Sequence, residues 1–261
     1  MTSNVEHVAR RVGQQDWLEK AARVGYAVNG LMHLLIAWIA LQVAWGFSGD
    51  TADQSGALSQ LSSNPFGRVL LWIGVIGFLG LTILQLTKAI AGTAYETKDR
   101  LKEGAKAVAY AALAWTAFKY AQGGSSNSEQ QINDFTASLM AKPFGIALVA
   151  LIGVVIVGIG VYHVIKGWKK KFISDLDQHP GAFFVRSGQI GYIARGVALF
   201  IVGGLFILAA VNSNPAEAGG LDAALRSLTD EPFGRPLLTL IAFGFAAFGV
   251  YSFARAKHAT V

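Results

Sequence analysis

Leu61-Ser62-Ser63-Asn64-Pro65-Phe66-Gly67, Leu139-Met140-Ala141-Lys142-Pro143-Phe144-Gly145 and Leu228-Thr229-Asp230-Glu231-Pro232-Phe233-Gly234 share one framework: a Leu, three variable residues, then Pro-Phe-Gly. A long apolar run follows each Gly. Twenty-three residues beyond each Pro stands a base: Lys88, Lys166 and Arg255. Upstream of each copy a Tyr opens another apolar run: Tyr26, Tyr110 and Tyr192. A tripeptide recurs by chance far more readily than this whole pattern does. The chain therefore reads as one two-helix unit written three times.

Working outward, the apolar residues lie in blocks. The 261 residues are 53% hydrophobic and 15% charged, with a mean hydropathy of +0.44, where a soluble domain carries about 25% charge. Uncharged runs lie from Val24 to Gly49, then between Arg68 and Lys88, Lys106 and Lys119, Lys142 and Lys166, Arg195 and Glu217, and Arg235 and Arg255. A bilayer crossing takes about 20 apolar residues. Five runs meet that. The third, twelve residues between its lysines, reaches only if Lys106 and Lys119 snorkel toward the headgroups.

The expected fold is an all-α integral membrane protein. Six transmembrane helices form three parallel two-helix repeats around a pseudo-threefold axis. A basic leader over 1–21, either an amphipathic surface helix through Val5, Val8, Ala9 and Val12 or a disordered arm, precedes repeat 1 (22–100, crossings near 24–46 and 67–88). Repeat 2 covers 101–185 (105–122 and 144–166) and repeat 3 covers 186–261 (190–211 and 234–255). The leader has no apolar core or cleavage site of a secretory signal. The chain has no Cys, which removes disulfides, thiolate catalysis and Cys-ligated metals.

Lys and Arg set the orientation. On one side lie Arg10, Arg11, Lys20 and Arg23, the Lys88–Lys106 cluster, the Lys166–Arg186 cluster, and Arg255 with Lys257: sixteen in all. The other side has five: Arg68, Lys119, Lys142, Arg226 and Arg235. Both termini are expected on the cytoplasmic side, with the Pro-Phe-Gly turns outside. There, short amphipathic helices carrying Leu58 and Leu61, Phe135 and Leu139, and Leu225 and Leu228 precede each Pro. Pro suits the start of a helix because its missing N–H has no partner there anyway, and Phe suits a membrane interface. Gly25, Gly30, Gly74, Gly77, Gly80, Gly153, Gly158, Gly160, Gly191 and Gly196 read as close-packing positions between helices.

Polar residues within the apolar runs are the candidate sites. Asn29 and His33 share a face, His163 lies near an inner helix end, and Arg195 stands three residues after Tyr192 where Asn29 and Leu113 stand in the other repeats. A bis-histidine haem site fails on depth, because His33 and His163 lie at different levels. Their expected use is hydrogen bonding between helices, and no cofactor or metal is expected. Arg195 reads as snorkelling or structurally paired, against binding of a lipid phosphate or backbone carbonyl. Gln85, His163 and Ser252 all stand twenty residues after a Pro. They form either a polar ring at the cytoplasmic mouth or tolerated polar helix ends; the second is preferred. Lys88, Lys166 and Arg255 complement helix C-termini and anchor to headgroups. Lys169-Lys170-Lys171, beside Trp168, attracts anionic lipid. Asp175, Asp177 and His179 read as a solvated loop.

Gly191-Tyr192-Ile193-Ala194-Arg195-Gly196, Gly220-Leu221-Asp222-Ala223-Ala224-Leu225-Arg226 and the three Pro-Phe-Gly copies resemble a family of uncharacterised bacterial membrane proteins built from three copies of domain of unknown function 1206. The resemblance runs from about Arg23 onward and is best in the third repeat. It implies six helices in the bacterial plasma membrane and assigns no catalytic residues. Asn29 and Leu113 replace the Arg that the family pattern favours, so whatever that Arg does is done once here.

The function expected is a non-enzymatic structural, accessory or assembly component. The alternative is a transporter or channel for an ion, lipid or small molecule along the axis. Expected partners are the bilayer, anionic headgroups on the cytoplasmic face, and another membrane protein or a second copy of the chain; nucleic acid is not among them.

Overall fold

The computed structural model describes residues 16–47, 51–91, 97–229 and 231–258, and every regular element among them is helical. The leader residues Val5 to Val12 lie outside the described residues. In chain order the elements are α1 (Asp16–Ala44), α2 (Gln54–Ser62), α3 (Pro65–Ala91), α4 (Thr97–Ala121), α5 (Ser128–Met140), α6 (Gly145–Trp168), α7 (Ala182–Val211), α8 (Leu221–Arg226) and α9 (Gly234–His258). Short 3-10 turns occupy Lys171–Asp175 and Pro215–Glu217. Five of the long helices are apolar enough to cross a membrane: Lys20–Ala44, Pro65–Ile90, Gly145–Trp168, Ala182–Val211 and Gly234–His258. α4 is not among them, because Lys102, Glu103, Lys106 and Lys119 dilute its apolar run.

A short helix precedes each Pro-Phe-Gly, and the turn's Gly has a concrete cause. A Cβ on Gly67, Gly145 or Gly234 would stand 1.9, 1.8 or 1.5 Å from the carbonyl oxygen of Leu61, Leu139 or Leu228. The repeated Leu and the repeated Gly are thus two sides of one contact. Pro opens a helix only in the first copy. There Asn64 accepts from the Gly67 N–H at 2.7 Å, capping α3 so that it begins at Pro65. Lys142 and Glu231 replace Asn64 in the other copies and supply no side-chain cap. Phe144 and Phe233 instead take left-handed φ values of 62° and 64°, and the helices begin one residue later, at Gly. All three Phe rings are exposed, by 74, 86 and 86%.

The long helices pack antiparallel in the succession α4, α3, α1, α9, α7, α6. Within it, α1 with α3 and α7 with α9 are the hairpins of repeats 1 and 3. α4 on α3, α6 on α7 and α9 on α1 join one repeat to another. The two long helices of the middle repeat, α4 and α6, are the ends of the succession and do not pack together along their length.

Small residues explain this order. In the first hairpin a Cβ on Gly77 would lie 2.5 Å from the Gly25 nitrogen. In the third, a Cβ on Gly244 would lie 2.0 Å from the Ala194 Cβ, and one on Gly191 would lie 2.6 Å from the Phe248 Cα. The middle repeat has Ala109 and Val155 at the positions of Gly25 and Gly77, and both are exposed. Only 22% of the α6 apolar stretch is buried, against 44% or more in the other four. The seams between repeats are close instead. Gly160 and Gly196, Gly153 and Gly203, and Gly30 and Gly249 each lie against one another's carbonyl oxygens, with Cβ-to-oxygen distances of 2.7 to 2.9 Å.

Candidate functional site: a polar cavity between the repeats

The first helix of each repeat carries a Tyr, and the base twenty-three residues beyond each repeated Pro meets one of these rings in two of the three copies. The Arg255 guanidinium lies 4.4 Å from the Tyr26 ring centre, and Lys166 Nζ lies 5.2 Å from that of Tyr192. Both pairings cross a seam, from the second helix of one repeat to the first helix of another. Lys166 also bonds Asp175 at 2.6 Å, which removes Asp175 from the solvated loop expected of it. Phe172 is fully buried between Tyr192 and Tyr251, with ring centres 5.3 and 5.0 Å away, and Asp177 N–H donates to the His258 carbonyl at 2.8 Å. Lys88 is half-buried at the end of α3, while Lys169, Lys170 and Lys171 are exposed.

These seams leave α1, α4 and α7 apart around a cavity. Its lower part, about 370 Å³, is lined by Asn29 and His33 from α1, Lys106, Tyr110, Leu113 and Thr116 from α4, Arg195 from α7, and Phe248 and Arg255 from α9. Asn29, Leu113 and Arg195, one position in each repeat, meet here. An adjoining part of about 300 Å³ shares His33, Gln54 and Arg195. It adds Ile36, Ala198, Val202 and Phe245, with Asp53, Ser128, Ile132, Gly220 and Leu221 at the end of the Pro-Phe-Gly turns.

Arg195 stacks on Phe248, guanidinium to ring centre 4.4 Å. Among the described residues neither Arg195 nor Arg255 has a carboxylate partner, and the buried Nε of Arg255 has no hydrogen-bond partner. The nearby charges are otherwise engaged. Lys106 bonds Glu103 at 2.8 Å. Asp53 caps α2 through Ser55 at 2.6 Å and the Gly56 N–H at 3.0 Å.

His33 is buried with its ring 4.7 Å from Phe248, and its Nδ1–H donates to the Asn29 carbonyl at 2.7 Å. His163 makes the same bond to Ile159 at 2.9 Å. Both bonds lie within one helix rather than between helices as the sequence led one to expect, because an i−4 carbonyl is already in reach. His33 lines the cavity, and in the neutral tautomer its Nε2 remains as an acceptor. Gln85, His163 and Ser252 line neither part of the cavity. Ser252 packs against Gly30 and donates to the Phe248 carbonyl at 2.9 Å, His163 lies 5.8 Å from the Tyr192 ring, and Gln85 is buried with Oε1 unpartnered.

Two features escaped the sequence. The Tyr–base pairing was in view, since both members recur in every repeat, but only their role across a seam would have joined them. Asp222 is the other. It is 3% exposed, accepts from the Ala52 N–H at 2.6 Å and from Arg226 Nε at 2.8 Å, and so ties α8 of repeat 3 to the turn before α2 of repeat 1.

Fold and cavity together define an all-helical, three-repeat protein of membrane character. More particularly, the chain belongs to the family described as Domain of Unknown Function (DUF1206), which matches it three times, over 24–92, 103–170 and 190–259. It is 29% identical over 249 residues to the uncharacterized protein YxxB of Bacillus subtilis (strain 168), covering 90% of this chain and 89% of that one. No solved structure matches.

Proposed function

We propose that this chain is a non-enzymatic accessory component of the bacterial plasma membrane that works by holding a ligand on its axis. It crosses the membrane six times, as three parallel two-helix repeats about a pseudo-threefold axis, with both ends in the cytoplasm. The observation that carries this reading is the convergence of Asn29, Leu113 and Arg195 on one cavity. Equivalent positions meet at one place when repeats surround an axis. The like seams Gly30–Gly249 and Gly160–Gly196 support the same geometry. α4 serves as the sixth crossing, lying along α3, with Lys106 and Lys119 at the two limits of its uncharged run. The sixteen-to-five division of Lys and Arg favours termini on the inside. Lys169, Lys170 and Lys171 lie against anionic headgroups, and Lys88, Lys166 and Arg255 complement the dipoles of the helices they end.

A second reading, transport along the same cavity, draws on its length from Asp53 and Ser128 at one end to Lys106 and Arg255 at the other. Both readings are open to test in a chain without Cys. In intact cells an impermeant maleimide is expected to label Ser63→Cys and spare Ser174→Cys; the reverse pattern overturns the orientation. Proteoliposomes are expected to show saturable ligand binding without flux. Anion flux lost on Arg195→Gln would replace holding by transport.

A further inference from the structure

Two guanidiniums facing one cavity inside a membrane-type bundle call for a counter-charge. Uncompensated charge out of water is costly, and the rings of Phe248 and Tyr26 offset only part of that cost. No described carboxylate pairs with either Arg, and Arg255 Nε is a buried donor without an acceptor. The missing partner is therefore an anion brought in from outside.

The rest of the lining says what carries that anion. Above Arg195 the wall is mostly apolar, with Ile36, Ala198, Leu199, Val202 and Phe245 beside the polar Asp53, Gln54 and Ser128. A free inorganic ion has no use for such a chamber, whereas an alkyl chain fills it. Access is also lateral. α4 packs on α3 and not on α6 or α7, so the wall between α4 and the α6–α7 pair is not sealed by helix contact. Nor are Ala109 and Val155 close-packed there, unlike the glycines at the same positions of the other two hairpins. A molecule already in the bilayer can enter sideways.

Resting on the axial reading above, we infer that the cavity takes a single-chain amphiphile with an anionic head, carboxylate or phosphate. The head sits on Arg195 and Arg255, the tail lies along Ile36, Val202 and Phe245, and entry is through the open side of the middle repeat. His33 Nε2 accepts a hydrogen bond from the head where the head is protonated.

The test uses the full chain in an uncharged detergent with a single thiol at Leu113→Cys, which lines the cavity. Labelling by a maleimide is followed with palmitate, inorganic phosphate or tetradecyltrimethylammonium present. Palmitate is expected to slow labelling at least ten-fold. That protection is expected to vanish with Arg195→Gln or Arg255→Gln, and to persist with Arg195→Lys and with the exposed Arg235→Gln. Should the Gln variants fail to fold, radiolabelled palmitate on the unsubstituted chain decides the same question: displacement by excess unlabelled palmitate and not by phosphate supports the amphiphile, and displacement by phosphate overturns it. Protection by inorganic phosphate alone overturns the amphiphile. Protection by the cationic amphiphile but not palmitate overturns the anionic class while sparing the axial site. No protection by any probe sinks both. Palmitate protection unchanged in both Gln variants overturns the seat on the guanidiniums.

Discussion

Repeats 1 and 3 build closed hairpins; repeat 2 does not. α1 meets α3, and α7 meets α9, through glycines that bring backbone against backbone or side chain, as at Gly25–Gly77. At the same positions the middle repeat places Ala109 and Val155, and its helices separate. The seams on either side of it remain intact. One repeat unit thus yields two architectures, decided by a few Cβ atoms. In lipid, where apolar surface is no reason to associate, packing of small residues is what joins helices, and its removal at one site opens one wall.

The largest effect is expected where that contrast is written. Gly77→Leu and Gly244→Leu should each cost about 3 kcal/mol or more by overpacking, whereas Val155→Leu, at the equivalent exposed position, should stay within about 0.5 kcal/mol. Unfolding in detergent followed by circular dichroism checks this. Equal losses at all three would mean that the middle hairpin is closed in the membrane. Next comes the Asp222 tether, which links repeats 3 and 1. Asp222→Ala leaves the buried Ala52 N–H without its acceptor, at a cost of about 1–3 kcal/mol. It should also expose the turn between α1 and α2 to limited proteolysis before any cleavage near α5.

Smaller effects sharpen the comparison at the turns, where the copies divide differently. Phe144→Gly and Phe233→Gly should stabilise by about 1 kcal/mol by relieving a left-handed φ. Phe66→Gly, on a helical residue, should destabilise by about 1 kcal/mol. A common sign for all three, in thermal unfolding, would show that the first turn is built like the others. Smallest is the cap: Asn64→Ala should cost about 1 kcal/mol, and Lys142→Ala, with no cap to lose, almost nothing.

The repeats, the helical class and the turns were legible because they depend on local spacing: a Leu, a Pro and a Gly at fixed intervals, and apolar runs of sufficient length. The cavity was only half legible. Asn29, Leu113 and Arg195 could be aligned as equivalents, but a lone Arg in one repeat argues against a symmetric site until the three side chains are seen to share a space. The polar set at Gln85, His163 and Ser252 was equally regular in sequence and lines neither part of that space, because helix rotation, which periodicity alone leaves free, turns it from the cavity. Arg255 reads from its position as a helix-end cation; only the seam partner Tyr26 reveals that it points inward. The opening of the middle repeat was written in Ala109 and Val155, yet it becomes legible only once one knows that their counterparts are contact positions.

The seam between α1 and α9 has a mechanical consequence. Gly30 and Gly249 press together there, and the Arg23 guanidinium donates to the Ala256 and Lys257 carbonyls at the end of α9. It joins two halves of three long helices each, α4–α3–α1 and α9–α7–α6. Opposite it, the free edges α4 and α6 are linked covalently by the segment that contains α5. The molecule is thus built like a clasp, with its hinge at the helices most distant in sequence and its strap in the middle of the chain. A single cut between Tyr120 and Ser128 would leave two fragments still gripped along the hinge, with the strap undone.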